Sequence, residues 1–334
     1  MKRIGIALAC ALALALGCGK EKQESAPAPG AAAPAASAKP APLRIALNWK
    51  PEPEFGGLYE AQRAGAFQKR ALEVEITGGP GAPVVQMVDA GKVEFGIAAA
   101  DEVIVARDRG TDIVAVYATY QTNPQGIMVH ASRGLNSLPE LFAAGGTLAV
   151  EPGVAYTKYF EKHYDLAKMK VVPYGYSIAP FLNDPMFAQQ VFVTAEPIAA
   201  RRQGADPQVF LIAESGFDPY AAVVITTGKR IREDGGSVVG FVAALRSGWR
   251  GYLDDPSAAN AQMGSLNPEM DAETFRLGAE AQKPLIEDAF AKEHGIGALS
   301  LERWTTLATQ LRELGLVDQE PKPAECFTDV HPID

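Results

Sequence analysis

Short apolar runs alternate with amphipathic stretches from Leu43 onward, and no other feature of this 334-residue chain narrows its fold as far. Apolar runs bounded by turn residues read as strands, helical periodicity between them reads as helices, and their alternation is the pattern of an α/β sheet protein. Residues 43–47 predict a first strand. Residues 55–70 carry Leu58, Tyr59, Ala61, Ala64 and Phe67 at helical spacing and lead into an alternating strand at 72–76. The loop Gly78-Gly79-Pro80-Gly81 reads as a turn rather than a phosphate cradle, since it matches no Walker or dinucleotide motif. A helix at 84–90, a strand at 93–99, a helix at 103–109 and a strand at 113–120 follow.

Residues 121–126 break the pattern and read as a crossing between domains. A second α/β unit then places strands at 127–130, 147–150, 169–172, 190–194 and 209–213, with helices at 137–143, 155–164, 178–182 and 197–203. Asp218-Pro219-Tyr220 and the strand 222–226 read as the return crossing. Residues 229–316 are helical in character, with Trp249, Leu253, Phe275, Leu285, Phe290, Trp304 and Leu311 as expected core positions. The expected domains are therefore 43–123 together with 226–334 for one lobe, and 124–225 for the other.

The amino terminus is a targeting device. Lys2 and Arg3 precede an apolar run from Ile4 to Leu16, which ends at Gly17 and Cys18. This is a signal peptide over 1–17, too short to span a membrane as a stable helix. Leu14-Ala15-Leu16-Gly17-Cys18 resembles a bacterial lipobox, which implies lipidation of Cys18; plain secretion is the alternative, and Cys10 would leave too short an apolar region. Residues 19–42 hold nine Ala and five Pro without hydrophobic periodicity and read as a tether with a reach of roughly 25 to 30 Å. The expected location is the cell envelope, with the chain exported and anchored in a membrane through its N-terminal lipid.

Lys and Arg total 31 against 40 Asp and Glu, a net charge of −9. A surface of this sign repels phosphate backbones and argues against a nucleic-acid partner. Cys10, Cys18 and Cys326 supply neither a four-ligand zinc site nor a disulfide framework. The four histidines lie far apart, and HExxH, GxSxG and a spaced Cys–His pair are all lacking, so no metal, cofactor or enzyme chemistry is expected.

The segment Leu47-Asn48-Trp49-Lys50-Pro51-Glu52-Pro53-Glu54-Phe55-Gly56-Gly57-Leu58-Tyr59-Glu60-Ala61 resembles the opening of the ABC-transporter substrate-binding proteins that carry thiamine pyrimidine precursors, with relatives for nitrate, sulfonates, taurine or riboflavin. Gly65-Ala66-Phe67, Gly91-Lys92-Val93-Glu94-Phe95-Gly96-Ile97 and Gln189-Gln190-Val191-Phe192-Val193-Thr194-Ala195-Glu196-Pro197 agree in order and spacing, so the resemblance covers roughly residues 43 to 316. It implies a type II periplasmic-binding-protein fold: two α/β lobes, two crossing strands and a ligand cleft between them. It also implies an ABC permease as partner and action as a monomer. A eukaryotic pyrimidine-precursor synthase shares that fold, but its cysteine-rich cluster has no counterpart here.

Ligand sites in α/β sheets gather at the carboxyl ends of strands. Those ends hold Asn48 and Trp49, Asp101, and Tyr120, with Asn123 in the crossing. Trp49, Phe55, Tyr59 and Tyr120 offer flat faces for a heterocycle; Phe55 and Tyr59 alternatively pack the first helix onto its sheet. In the second unit Gly153 would let a ligand approach the backbone, beside Tyr156, while Glu196 follows a strand and Tyr220 sits at the return crossing. Asp101 favours an amino-substituted ring or a cation over an oxyanion; alternatively it is the N-cap of a helix beginning at Glu102. Glu196 has a similar alternative as a solvated helix-start carboxylate. The remaining readings are a sulfonate, taurine, nitrate or riboflavin-like ligand, and a lipoprotein that senses rather than delivers.

Overall fold

The computed structural model describes residues 42–320 and 322–330. The signal peptide, Cys18 and residues 19–41 of the tether lie outside the described residues. Ten strands form two five-stranded sheets: β1 (Leu43–Leu47), β2 (Val74–Gly78), β3 (Phe95–Ala98), β4 (Ile113–Ala118), β5 (Gln125–His130), β6 (Gly146–Val150), β7 (Met169–Pro173), β8 (Phe187–Phe192), β9 (Pro207–Leu211) and β10 (Val223–Thr227). The helices that matter to the site are α1 (Gly56–Arg63), α2 (Ala100–Asp108), α3 (Ala155–His163), α4 (Glu196–Arg202), α5 (Gly235–Asp254), α6 (Ala272–Ile286) and α7 (Leu301–Glu313).

The first sheet runs β2-β1-β3-β10-β4 and the second β7-β6-β8-β5-β9. β1 pairs parallel with β2 and β3, and β6 parallel with β7 and β8. The antiparallel member of each sheet is the strand that has just arrived from the other one. β5 follows β4 out of the first sheet, and β10 follows β9 back into it. Two α/β units joined by two crossings are thus built into the strand order. β10 already belongs to the first sheet, so the return passage is residues 212–222 and precedes the strand expected to make it.

The two passages are tied together. Asn123 N–H donates to Asp218 Oδ1 at 3.0 Å. Arg303 of α7 donates through Nε to Asp218 O and through Nη2 to Asp218 Oδ1, each at 2.8 Å, and through Nη1 to Gln121 O. Its guanidinium also lies 4.0 Å from the centroid of the Tyr220 ring.

Behind the first sheet, α1 packs on α5 at short range because glycines face each other. A Cβ on Gly248 would collide with the Gly57 carbonyl, and one on Gly57 with the Trp249 indole. The helix expected over 55–70 ends at Arg63 instead, because Gly65 adopts left-handed backbone just past it; the separate 3-10 turn Gln68–Arg70 that follows is closed by left-handed Ala71. Cys326 is buried, and burial pushes its thiol up to about 11. Among the described residues no helix is long and apolar enough to cross a membrane.

Candidate ligand-binding cleft

Loops at the carboxyl ends of strands from both sheets converge on a cleft of about 440 Å³. β1 leads into Asn48, Trp49, Glu52 and Glu54; β3 leads into Ala99, Asp101 and Glu102. From the other side β6 leads into Glu151, Gly153 and Tyr156, β7 into Tyr174 and Tyr176, and β8 into Phe192 and Glu196. Local sequence accounts for these placements. Pro53 starts a single 3-10 turn, Pro53–Phe55, that carries Glu54 inward, where it is 8% exposed. Gly153 has φ of +88°, and nothing lies within 4 Å of a Cβ built on it, so the left-handed backbone rather than crowding calls for glycine there.

Aromatic rings meet across the cleft. The centroids of Trp49 and Tyr176 lie 5.4 Å apart at 42°, a contact from a β1 loop to a β7 loop that bridges the cleft. Tyr174 and Tyr176 lie at the same separation, tilted by 60°. Tyr176 holds φ of +55°, a strained conformation for a residue with a side chain.

Carboxylates line the same cleft beside these rings, and no Lys, Arg or His is among the described residues lining it. Trp49 Nε1–H donates to Glu52 Oε1 at 3.2 Å. Burial, reinforced by the nearby charge of Glu196, pushes Glu52 up to about 8. Glu54 is driven well above the carboxylate range by burial first and then by Glu52 and Glu196. Asp101 is raised to about 7, by burial and then by Glu102. Glu196 accepts from Tyr174 OH at 3.1 Å and from Phe192 N–H at 2.9 Å, and burial raises it too. Gln190 Oε1 accepts from Glu151 N–H at 2.6 Å and from Tyr156 OH at 2.9 Å, fixing the β6 loop and the first turn of α3.

Of the residues singled out from sequence, Asn48, Trp49, Asp101, Gly153, Tyr156 and Glu196 line this cleft. Phe55, Tyr59, Tyr120, Asn123 and Tyr220 do not. Phe55 and Tyr59 are interior residues of the core that contains α1 and α5. Tyr120 is fully buried, its OH donating to Gln282 Oε1 at 2.7 Å. Asn123 is spent on the crossing, where its Oδ1 accepts from Gln125 N–H at 2.9 Å. Tyr220 OH accepts from Ser300 N–H at 3.0 Å under the Arg303 guanidinium.

Asp101 is not an N-cap: α2 begins at Ala100 with Ala99 at the cap, and Glu102 Oε2 accepts from Ala99 N–H at 2.8 Å. Glu196 does start a helix, but it is half-buried in the cleft wall rather than solvated. Sequence reasoning passed over Glu52, Glu54, Tyr174, Tyr176 and Gln190. The available signal was the Pro51-Glu52-Pro53-Glu54 loop, two carboxylates immediately after a strand end.

The NMT1/THI5-like family profile matches residues 52–259. The riboflavin-binding protein RibY of Chloroflexus aurantiacus is 23% identical over 309 residues, covering 85% of this chain and 84% of its own. The formylaminopyrimidine-binding protein of Halalkalibacterium halodurans is 20% identical over 303 residues, covering 86% and 90%. Among solved structures, the periplasmic aliphatic sulphonate binding protein SsuA of Escherichia coli superposes with a TM-score of 0.66 at 13% identity, over 88% of this chain and 94% of its own. That likeness extends the periplasmic-binding-protein fold to the present chain, and with the profile spanning both sheets, the chain belongs to the NMT1/THI5-like family.

Proposed function

We propose that this chain is the solute-binding component of an ABC importer, exported and anchored through lipid on Cys18, which shuts its two halves over a small amino-substituted heterocycle of the pyrimidine class. The observation that carries this reading is the cleft's two-part lining. Trp49, Tyr174 and Tyr176 offer ring faces, while Glu52, Glu54, Asp101 and Glu196 offer acceptors for N–H groups. The relatives named for formylaminopyrimidine and riboflavin support a nitrogen-rich ring. A sulfonate or nitrate would find acidic side chains and no Lys, Arg or His among the described residues lining the cleft, so the oxyanion ligands rank below riboflavin-like rings, and those below pyrimidines. Binding needs no bond-making step. A solute touching both halves stabilises the shut form, which is what a permease would recognise.

A thermal-shift screen of aminopyrimidines, thiamine, riboflavin, taurine, alkanesulfonates and nitrate tests the reading. A solute at 100 times its Kd stabilises by about 2.7 kcal/mol, a shift of several degrees. Stabilisation by sulfonates alone would refute the heterocycle assignment. Cys18→Ser is expected to release the protein from membranes, and retention in the membrane fraction would refute the anchor.

A further inference from the structure

Glu54 stands apart from the other cleft acids. Glu52 accepts from the Trp49 indole, Glu102 from Ala99 N–H, and Glu196 from Tyr174 and Phe192. The Glu54 side chain lines the cavity at 8% exposure and has no hydrogen-bonding or ionic partner among the described residues. A buried carboxylate without a partner is costly to keep ionised, and neighbouring acids raise that cost. The titratable groups facing it are Glu52 on its own loop, Glu196 at the start of α4 and Tyr120 after β4. The base nearest Glu52 is Lys50, which is ion-paired to Glu269.

Two kinds of solute would satisfy such a group. A neutral ring could accept a hydrogen bond from the protonated acid, or a cation could serve as its counter-ion. A metal ion is disfavoured, because among the described residues no three His, Cys, Asp or Glu side chains come together in a way that could hold one. The tied acids and the aromatic wall decide between the other two. Glu52 and Glu196 each already accept a hydrogen bond from an aromatic residue, Trp49 or Tyr174, which offsets only part of the burial that keeps them protonated; a cation lying against these acids and on rings whose faces attract positive charge supplies the compensation they lack.

We infer that the cleft takes its solute as a flat organic cation of the amidinium or protonated aminoheterocycle type, with Glu54 as its counter-ion and Glu52 and Glu196 flanking it. This rests on the binding-protein reading and narrows its ligand class. Because the empty cleft retains protons that a bound cation displaces, binding releases protons and affinity rises with pH. A neutral ring held by protonated acids has the opposite dependence.

The test is calorimetric titration of the whole chain with benzamidine and benzamide, flat isosteres of which only the first is charged between pH 5.5 and 8, and, at pH 8 where it is neutral, with 4-aminopyrimidine. Benzamidine is expected to bind at least about tenfold more tightly than benzamide at pH 8. Its affinity should fall about tenfold by pH 5.5, and the preference should shrink to under about threefold in Glu54→Gln. Glu196→Gln gives the same readout if Glu54→Gln does not fold. Equal or tighter binding of the neutral rings, or affinity that falls as pH rises, overturns the cation assignment and leaves the binding-protein reading standing. Failure of every ring to bind overturns both.

Discussion

Arg303→Met removes the side chain that fastens the two crossings to each other while preserving length and apolar bulk. The guanidinium makes two hydrogen bonds of 2.8 Å to Asp218 and one to the Gln121 carbonyl, and lies on the Tyr220 ring. Hydrogen bonds to charged groups contribute about 1.5–3 kcal/mol each and a cation–π contact about 1 kcal/mol, but these terms share one side chain and do not add. The Asp218 side chain is 38% exposed, so its ionic share is further reduced by water, whereas Arg303 itself is 17% exposed and the Gln121 carbonyl loses its partner. The expected net loss is about 3 kcal/mol. For a body of this size, at about 2.1 cal/mol/K of unfolding entropy per residue, that lowers Tm by roughly 4–6 °C in a scan followed by circular dichroism. Arg303→Lys keeps the charge but cannot bridge both passages, and is expected to recover less than half of the loss. A Tm within about 2 °C of the parent for Arg303→Met would refute the idea that this residue holds the crossings together.

Trp49→Ala should weaken solute binding by roughly 1–3 kcal/mol in a titration while leaving the unliganded Tm nearly unchanged; a large unliganded loss would make Trp49 a structural residue. Gly248→Ala drives a methyl into the Gly57 carbonyl and Ala61, and is expected to destabilise by about 2–3 kcal/mol in denaturant unfolding, with Ala61→Gly in the same chain restoring part of it. The solute-free protein should lose stability as pH rises from about 4.5 to 8. Glu52 and Asp101 titrate near 8 and 7 when folded and lower when unfolded, so the folded state binds more protons through that window; a Tm that climbs over it would contradict the buried-acid geometry.

The fold was legible because strand and helix differ in period, and most elements fall within a few residues of where that period puts them. The departures have local causes. The helix after β1 is cut short by left-handed Gly65, which the helical spacing of Ala64 and Phe67 on either side of it masks. The helix after β3 starts three residues before Val103 because Ala100, Asp101 and Glu102 fill its first turn with no side-chain cap to mark it. That β5 and β10 are the antiparallel, exchanged strands is a tertiary property. The family resemblance, not periodicity, pointed to it.

The site was legible where position along a strand is enough, and illegible where burial decides. Trp49, Tyr59 and Tyr120 are all aromatic residues near strand ends or on the first helix, yet only Trp49 reaches the cleft. The proline-bounded loop carries it outward, whereas α1 turns Tyr59 into the core and Tyr120 is captured by Gln282 across the molecule. The reverse error concerns Glu52 and Glu54. Carboxylates in a proline-bounded loop ordinarily stay in water, so nothing in the sequence singled these two out. Glu54 is buried and Glu52 half-buried because α6, far along the chain, packs on their turn, with Gln282 Nε2 donating to the Pro53 carbonyl at 2.8 Å, while Glu196 lies near enough to act on both, and a carboxylate's energetic character depends on such neighbours. The same two glutamates on an open loop would titrate normally and select nothing. Beside Glu196, and with no Lys, Arg or His among the described residues lining the cleft, they are what the proposed cation would answer, and the sign of a solute's charge is the property the titration reads first.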